Sequence, residues 1–423
     1  TQMKTAALPI PIVRGKGALL YAEDGKSYVD AVASWWVNLH GHAHPYIAQK
    51  VAEQLQTLEH VIFAGFTHPA AVTFAERLIR ILPQGQSRIF YSDNGSTAVE
   101  VALKMAIQYW QNLGMSKKKI IAFRDSYHGD TFGAMAVSAR SAFTAPFWSY
   151  LFEVEFIDVP IPGFEETTIR QLDTYAHTGD VAAFIYEPLV LGTAGMVMYT
   201  PDALDRLMAI CQQHDILTIA DEVMTGFGRT GRLFASDFMQ HKPDMVTMSK
   251  GLTGGTMALG ATSCNEKIYD AFLSDDKLKT LFHGHSYTGN PVACAAGLAS
   301  LDLLVQEEAQ QNIKRISQQH ADFTKQIKQL PKILAVRQQG TILAVEFDAG
   351  GTSYFSKLGD TLYSFALEQG VILRPLGNII YVIPPYCITN KQLAQVYQAI
   401  VGMQQIITGT RSFAPPSQTT LHD

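Results

Sequence analysis

VAAFIYE at 181–187, ILTIAD at 216–221 and DMVTMS at 244–249 are short, nearly unbroken apolar runs, each closing on a polar residue. Continuous apolarity over so few residues, without alternation, is what strands buried on both faces of a mostly parallel sheet require. Working outward, SRIFYS (87–92), KIIAF (119–123) and GATSC (260–264) repeat the pattern. The stretches between them read as amphipathic helices. From Thr200 and Pro201, an N-cap and first-turn pair, Leu204, Leu207, Met208 and Cys211 fall on one face. Strand and helix in alternation predict a large doubly wound α/β domain over residues 46–304.

Outside that region the pattern changes. GALLYAEDGKSYVDAV (17–32) reads as a hairpin turning on glycine, GTILAVEF and NIIYVIPPY as strands, and 354–369 and 390–406 as helices. These pieces predict a smaller α+β domain built from 1–45 and 305–408. The Pro-, Ser- and Thr-rich segment 409–423 reads as a loose tail. No internal repeat is visible.

A chain of 423 residues is more than one core usually serves. With 47% hydrophobic and only 17% charged residues it is neither disordered nor a coiled coil. The net charge of −5 comes without a basic cluster, which argues against a nucleic-acid partner. Four scattered cysteines, with no CxxC pair, fit reduced core residues of a cytoplasmic protein. The longest apolar stretch carries Glu187, Pro188 and two glycines, so no membrane span is expected. The opening TQMKTAALPIPIV has neither a signal-peptide pattern nor an initiator Met, so the chain is expected to begin partway into its gene product.

Lys250 ends one apolar strand and precedes glycine, in SKGLTGG, while Asp221 ends another. Taken singly, a strand-end lysine reaches solvent and an aspartate caps a turn. Taken together, at the carboxyl ends of buried strands, they are the pair that pyridoxal phosphate demands: an amine for the aldehyde and a carboxylate for the ring nitrogen. SDNGSTAVEVALKM runs from strand through a turn into a helix, where Gly95 and Ser96 would offer an anion N–H groups and a hydroxyl. Tyr127, after a further strand, is a candidate to stack on the ring or an ordinary core tyrosine.

In order, SDNGSTAVEVALKMA, YHGDTFGAM, YEP, ADEVMTGFGRTG, SKGLTGG and HGHSYTGNP resemble the class III aminotransferases, pyridoxal-phosphate enzymes of fold type I. Six motifs in family order make the resemblance specific, and it covers nearly the whole chain. It implies a cytoplasmic homodimer in which Lys250 carries the cofactor, Asp221 meets the pyridine nitrogen, Gly95 and Ser96 hold the phosphate, and Tyr127 lines cofactor and substrate. His285 and Ser286 match the segment that reaches the phosphate from the neighbouring subunit. Ser286 stands where many relatives have Thr, and it keeps the hydroxyl.

Within the class, VASWWVNLHGHAHP and ILRPLGNIIYVIPPY resemble the branch that aminates 8-amino-7-oxononanoate in biotin biosynthesis, with adenosylmethionine or lysine as donor. The resemblance implies substrate contacts from Trp35, Gly284 and Arg374. A guanidinium at Arg374 suits a carboxylate, and tryptophan at 35 or 36 suits an apolar chain or a sulfonium. An aromatic segment that relatives carry ahead of residue 1 is absent from this sequence. Two further features are decoys. His40, His42 and His44 alternate in LHGHAHP, but no Cys or carboxylate set accompanies them, so no metal is expected. LTGGTM lacks the GK[ST] ending of a nucleotide-binding loop.

Overall fold

The computed structural model describes residues 9–349 and 357–413. The chain divides into two compact units, one formed by Tyr46–Gln310 and the other by the chain up to Pro45 and from Gln311 onward.

The larger unit is built on a seven-stranded sheet. Its strands are β1 (Gln86–Ser92), β2 (Lys119–Phe123), β3 (Glu155–Ile157), β4 (Val181–Tyr186), β5 (Leu217–Asp221), β6 (Met245–Met248) and β7 (Gly260–Asn265). Their order across the sheet is β1-β7-β6-β5-β4-β2-β3, with β7 antiparallel to both neighbours and the pairs from β6 to β3 parallel. Every residue of β4, β5 and β6 is buried, as their unbroken apolar sequences require. The helix Pro201–Gln213 starts as read: the Thr200 hydroxyl accepts from the Ala203 N–H at 3.2 Å, and Leu204, Leu207, Met208 and Cys211 are buried. The strand β3 was not apparent in the sequence; GluPheIle is short and only its last residue is fully buried.

In the smaller unit, Leu19–Ala22 and Ser27–Asp30 form the expected antiparallel hairpin, flanked by Ile12–Lys16 on one side and, in parallel, by Val371–Ile372 on the other. A second sheet pairs Ile333–Gln339, Ile342–Phe347 and Ile379–Val382. The expected helices appear as Lys357–Glu368 and Asn390–Ile407. From residue 414 on, the expected tail lies outside the described residues, as do residues 354–356.

One segment of this unit departs from ordinary L-residue geometry. Ala33, Ser34, Trp35 and Trp36 are consecutive and have φ of +48°, +47°, +75° and +72°. Left-handed backbone costs a non-glycine residue roughly 1–2 kcal/mol, so four in a row persist only where neighbours hold them. Among the described residues no helix is long and apolar enough to cross a membrane.

Candidate active site

Four of the residues singled out in the sequence follow the carboxyl ends of strands in the larger unit. Asp221 is the last residue of β5, Lys250 lies two residues beyond β6, Tyr127 lies in the loop after β2, and Gly95 begins the helix that follows β1. Parallel strands therefore deliver most of the chemistry to one edge of the sheet.

Asp221 is buried and well partnered. Its Oδ1 accepts from the Val223 N–H at 3.1 Å and the Thr247 hydroxyl at 3.3 Å, and its Oδ2 accepts from His128 Nδ1 at 2.7 Å. Each carboxylate oxygen can accept twice, so among the described residues Oδ2 keeps one lone pair for a further donor. The buried His128 was not anticipated as a site residue. Its pairing spans 93 positions and joins a loop to the end of β5, so only its place in YHGDT hinted at a role.

Lys250 has φ +46°, a left-handed kink just beyond β6. Burial pushes its ammonium down to about 8, against the pull of Asp221 and Glu187 and with help from the positive charge of buried Arg229. At pH 8 about half of such a lysine is neutral amine, against about 0.3% of one titrating at 10.5. Glu187, after β4, accepts from the backbone N–H groups of Tyr127 at 2.9 Å and Gly192 at 3.0 Å. Burial pushes its carboxyl up to about 7, with His128 opposing and Asp221 adding to the rise. The Tyr127 phenol donates to Asp130 at 3.0 Å, and burial, followed by that carboxylate, raises its pKa.

The candidate anion cradle is the start of the 18-residue helix Gly95–Asn112. The Asn94 side chain accepts from the Thr97 N–H at 3.0 Å, and the Thr97 hydroxyl accepts from the Asn94 N–H at 3.1 Å. As first and second helical residues, Gly95 and Ser96 have N–H groups without intrahelical acceptors. The Ser96 hydroxyl oxygen accepts from the Asp130 N–H at 3.0 Å, which leaves its proton to donate. Space is tight: a Cβ built on Gly129 would lie 2.0 Å from Ser96 Oγ. The loop carrying Tyr127, His128 and Gly129 is tied to the same helix. Glu100 accepts from the Thr131 hydroxyl at 2.5 Å and from the N–H groups of Gly133 at 2.7 Å and Ala134 at 3.1 Å.

Gly284, His285 and Ser286 lie elsewhere in the larger unit, on a loop that also exposes Phe282 and Tyr287. The His285 N–H donates to the Thr288 hydroxyl at 3.0 Å, and its ring Nδ1 accepts from the Tyr287 N–H at 3.2 Å. Among the described residues no hydrogen bond joins His285 or Ser286 to Gly95 or Ser96.

In the smaller unit the two tryptophans separate. Trp36 is buried edge-on against Tyr381, with ring centroids 5.8 Å apart. Trp35 is 55% exposed, and the guanidinium carbon of Arg374 sits 4.4 Å from its ring centroid. The two meet because Ile372 pairs in register with Asp30, so both strands run out side by side. Of the alternating histidines, His42 has a different use from metal binding: it bonds to Asp30 and Asn38.

Residues 2–403 match the family model for aminotransferase class-III. The chain belongs to the class III aminotransferases. An adenosylmethionine-8-amino-7-oxononanoate aminotransferase of Synechococcus elongatus is 47% identical over 95% of this chain and 96% of its own length. One of the same name from Geobacter sulfurreducens is 39% identical over 97% and 95%. Among solved structures, the adenosylmethionine-8-amino-7-oxononanoate aminotransferase of Methanocaldococcus jannaschii superposes with a TM-score of 0.90 at 33% identity, covering 97% of this chain and 95% of that one. An amine transaminase from an uncultivated Pseudomonas species, in its pyridoxal-phosphate-bound form, reaches 0.88 at 30% identity, covering 95% of each chain. The class is one of pyridoxal-phosphate enzymes, and the larger unit has its fold type I architecture.

Proposed function

We propose that this enzyme transfers an amino group to 8-amino-7-oxononanoate, giving 7,8-diaminononanoate for biotin synthesis, with adenosylmethionine as the usual donor. The observation that carries the reading is whole-length similarity to relatives of that name, together with Lys250 and Asp221 at the ends of adjacent strands. The residues present suit pyridoxal phosphate: a lysine with a depressed pKa, a buried carboxylate with a lone pair to spare, and a helix start with free N–H groups. Lys250 would hold the aldehyde, Asp221 the ring nitrogen, Gly95 and Ser96 the phosphate, and Tyr127 the ring face. Bound there, the cofactor supplies an aldehyde that receives the amino group and a ring that withdraws electrons.

The chain's own residues do the rest. Lys250, released as a neutral amine, takes the proton from the donor carbon that bears nitrogen and returns it on the other side of the reaction. Asp221, oriented by the His128, Thr247 and Val223 hydrogen bonds, would hold a proton at the ring nitrogen. In the smaller unit Arg374 would pair with the acceptor's carboxylate and Trp35 would lie along its apolar chain; in the larger, Gly284 would be a further substrate contact. His285 and Ser286 complete the phosphate site from the second subunit of a cytoplasmic homodimer.

The neighbouring reading, an amine transaminase of the same class, is favoured by the likeness to the Pseudomonas structure. Product analysis decides: pyridoxamine-form enzyme mixed with 8-amino-7-oxononanoate should yield the diamine. Turnover of simple ketones without turnover of the oxo-acid would overturn the proposal.

A further inference from the structure

The left-handed turn at Ala33–Trp36 needs something to hold it, and the structure supplies it in one buried side chain. Asp30 Oδ1 accepts from the Ser34 N–H at 3.0 Å and the Val32 N–H at 3.4 Å. Its Oδ2 accepts from the Ser34 hydroxyl at 2.7 Å and from His42 Nε2 at 2.9 Å. The His42 tautomer follows from its other side. Asn38 Oδ1 accepts from the Gly41 N–H at 2.7 Å, which fixes the amide, so Asn38 Nδ2 donates to His42 Nδ1 at 3.3 Å. The proton therefore sits on Nε2 and points at Asp30. Burial alone pushes the Asp30 carboxyl up, but the bonds from His42 and Ser34 bring it below its ordinary value.

His42 is itself fixed. Its backbone exchanges two hydrogen bonds with Gly17, at 2.7 and 3.2 Å, and a Cβ on Gly15 would come 2.5 Å from its own Cβ. A right-handed path from Asp30 would carry Trp35 away from its place under Arg374, because the four reversed φ angles set where that ring emerges.

We propose that Asp30 and His42 are positioning residues for acceptor recognition: they clasp Ala33–Trp36 in its left-handed turn and so hold Trp35 beneath the Arg374 guanidinium. This deepens the proposed function and rests on it for the identity of the acceptor. Histidine at 42 thus serves a turn, with its imidazole bridging a carboxylate and an amide, and the exposed tryptophan depends on a residue seven positions away.

The test combines two readouts on holoenzyme. Hydrogen exchange over peptides spanning 30–42 reads the clasp, and the pyridoxamine form mixed with 8-amino-7-oxononanoate or its methyl ester reads recognition. His42→Ala should speed exchange at 32–37 and raise KM for the acid about ten-fold, with kcat changed by no more than about two-fold. The preference for acid over ester should shrink with it. Adding Ala33→Gly, which makes the left-handed conformation easier, should restore much of both. Ser34→Ala removes one bond and serves as the milder variant should His42→Ala not fold; an effect of about three-fold is expected.

Unchanged exchange in the variants overturns the clasp. Faster exchange with unchanged KM, while Arg374→Ala raises KM, overturns the positioning role. If native enzyme shows no preference for acid and Arg374→Ala changes nothing, the substrate reading has failed, and the clasp stands or falls on hydrogen exchange alone.

Discussion

Gly129→Ala should loosen the phosphate cradle without touching a charged group. The added methyl would lie 2.0, 2.6 and 2.8 Å from Ser96 Oγ, Cβ and Cα, where ordinary contact is 3.4–4 Å. Neither side yields easily. Ser96 is the second residue of a helix whose start is fixed by the reciprocal Asn94 and Thr97 bonds, and Gly129 itself has φ +134°. The backbone term costs about 1–3 kcal/mol and the overpacking a similar amount, so a destabilisation of about 2–6 kcal/mol is expected. Gly114→Ala separates the two terms, because Gly114 also has positive φ (+73°) but nothing within 4 Å of its missing Cβ. If Ser96 holds the phosphate as proposed, displacing its hydroxyl would lose a charge-assisted hydrogen bond worth about 1.5–3 kcal/mol, or roughly 10- to 150-fold in cofactor affinity. The assay is absorbance titration of apoenzyme with pyridoxal phosphate, beside denaturant unfolding of both variants. If Gly129→Ala binds cofactor within about two-fold of native and unfolds like Gly114→Ala, the cradle reasoning is wrong.

Lys250→Ala should abolish transamination, and borohydride treatment of cofactor-loaded native enzyme should fix pyridoxyl label on the peptide containing Lys250; label on another lysine would refute its assignment. Arg374→Ala should cost about 2–4 kcal/mol in kcat/KM for the oxo-acid in the second half-reaction and little in the first, with Arg374→Lys recovering part, as stopped-flow on each half would read. Glu187, with a folded pKa of about 7 against 4.5 for an ordinary carboxyl, makes the native state bind more protons than the unfolded chain between those values. Its contribution is therefore full below about pH 4.5 and is lost as pH rises through about 7, on the order of 3 kcal/mol. Glu187→Gln should flatten that part of the stability–pH curve, and an unchanged slope in denaturant titrations would reject the assignment.

Six of the sheet strands were legible because burial on both faces writes itself as unbroken apolarity; all six runs read in the larger unit match within one residue at each end, and Lys119–Phe123 matches residue for residue. Ile12–Lys16 and Ile333–Gln339 escaped because strands half open to water mix polar and apolar residues. At the candidate site, the strand-end positions of Lys250 and Asp221 were legible from the apolar runs that precede them. His128 was not, since its partner is the end of a strand 93 positions further on. Nor could adjacent tryptophans be told apart by helical or strand period, because the left-handed turn that exposes Trp35 and buries Trp36 obeys neither.

The antiparallel strand β7 also has a consequence for when the enzyme becomes competent as it folds. It is wedged between β1 and β6, pairing Ser92 with Gly260 on one side and Met248 with Ala261 on the other. The strand leading to the phosphate helix and the strand leading to Lys250 are thus neighbours only through a segment made about 170 residues after the first of them. Closing so long a loop precedes any reward from the contacts it makes, which places this pairing late on the folding path. At the proposed site, pyridoxal phosphate would meet a half-site at most until β7 had docked, and would not template the sheet. Its effect would be on the return journey: if the proposed site is right, a ligand held by both the lysine and the helix start would have to be released before β7 could leave, and would slow unfolding while leaving the folding rate alone.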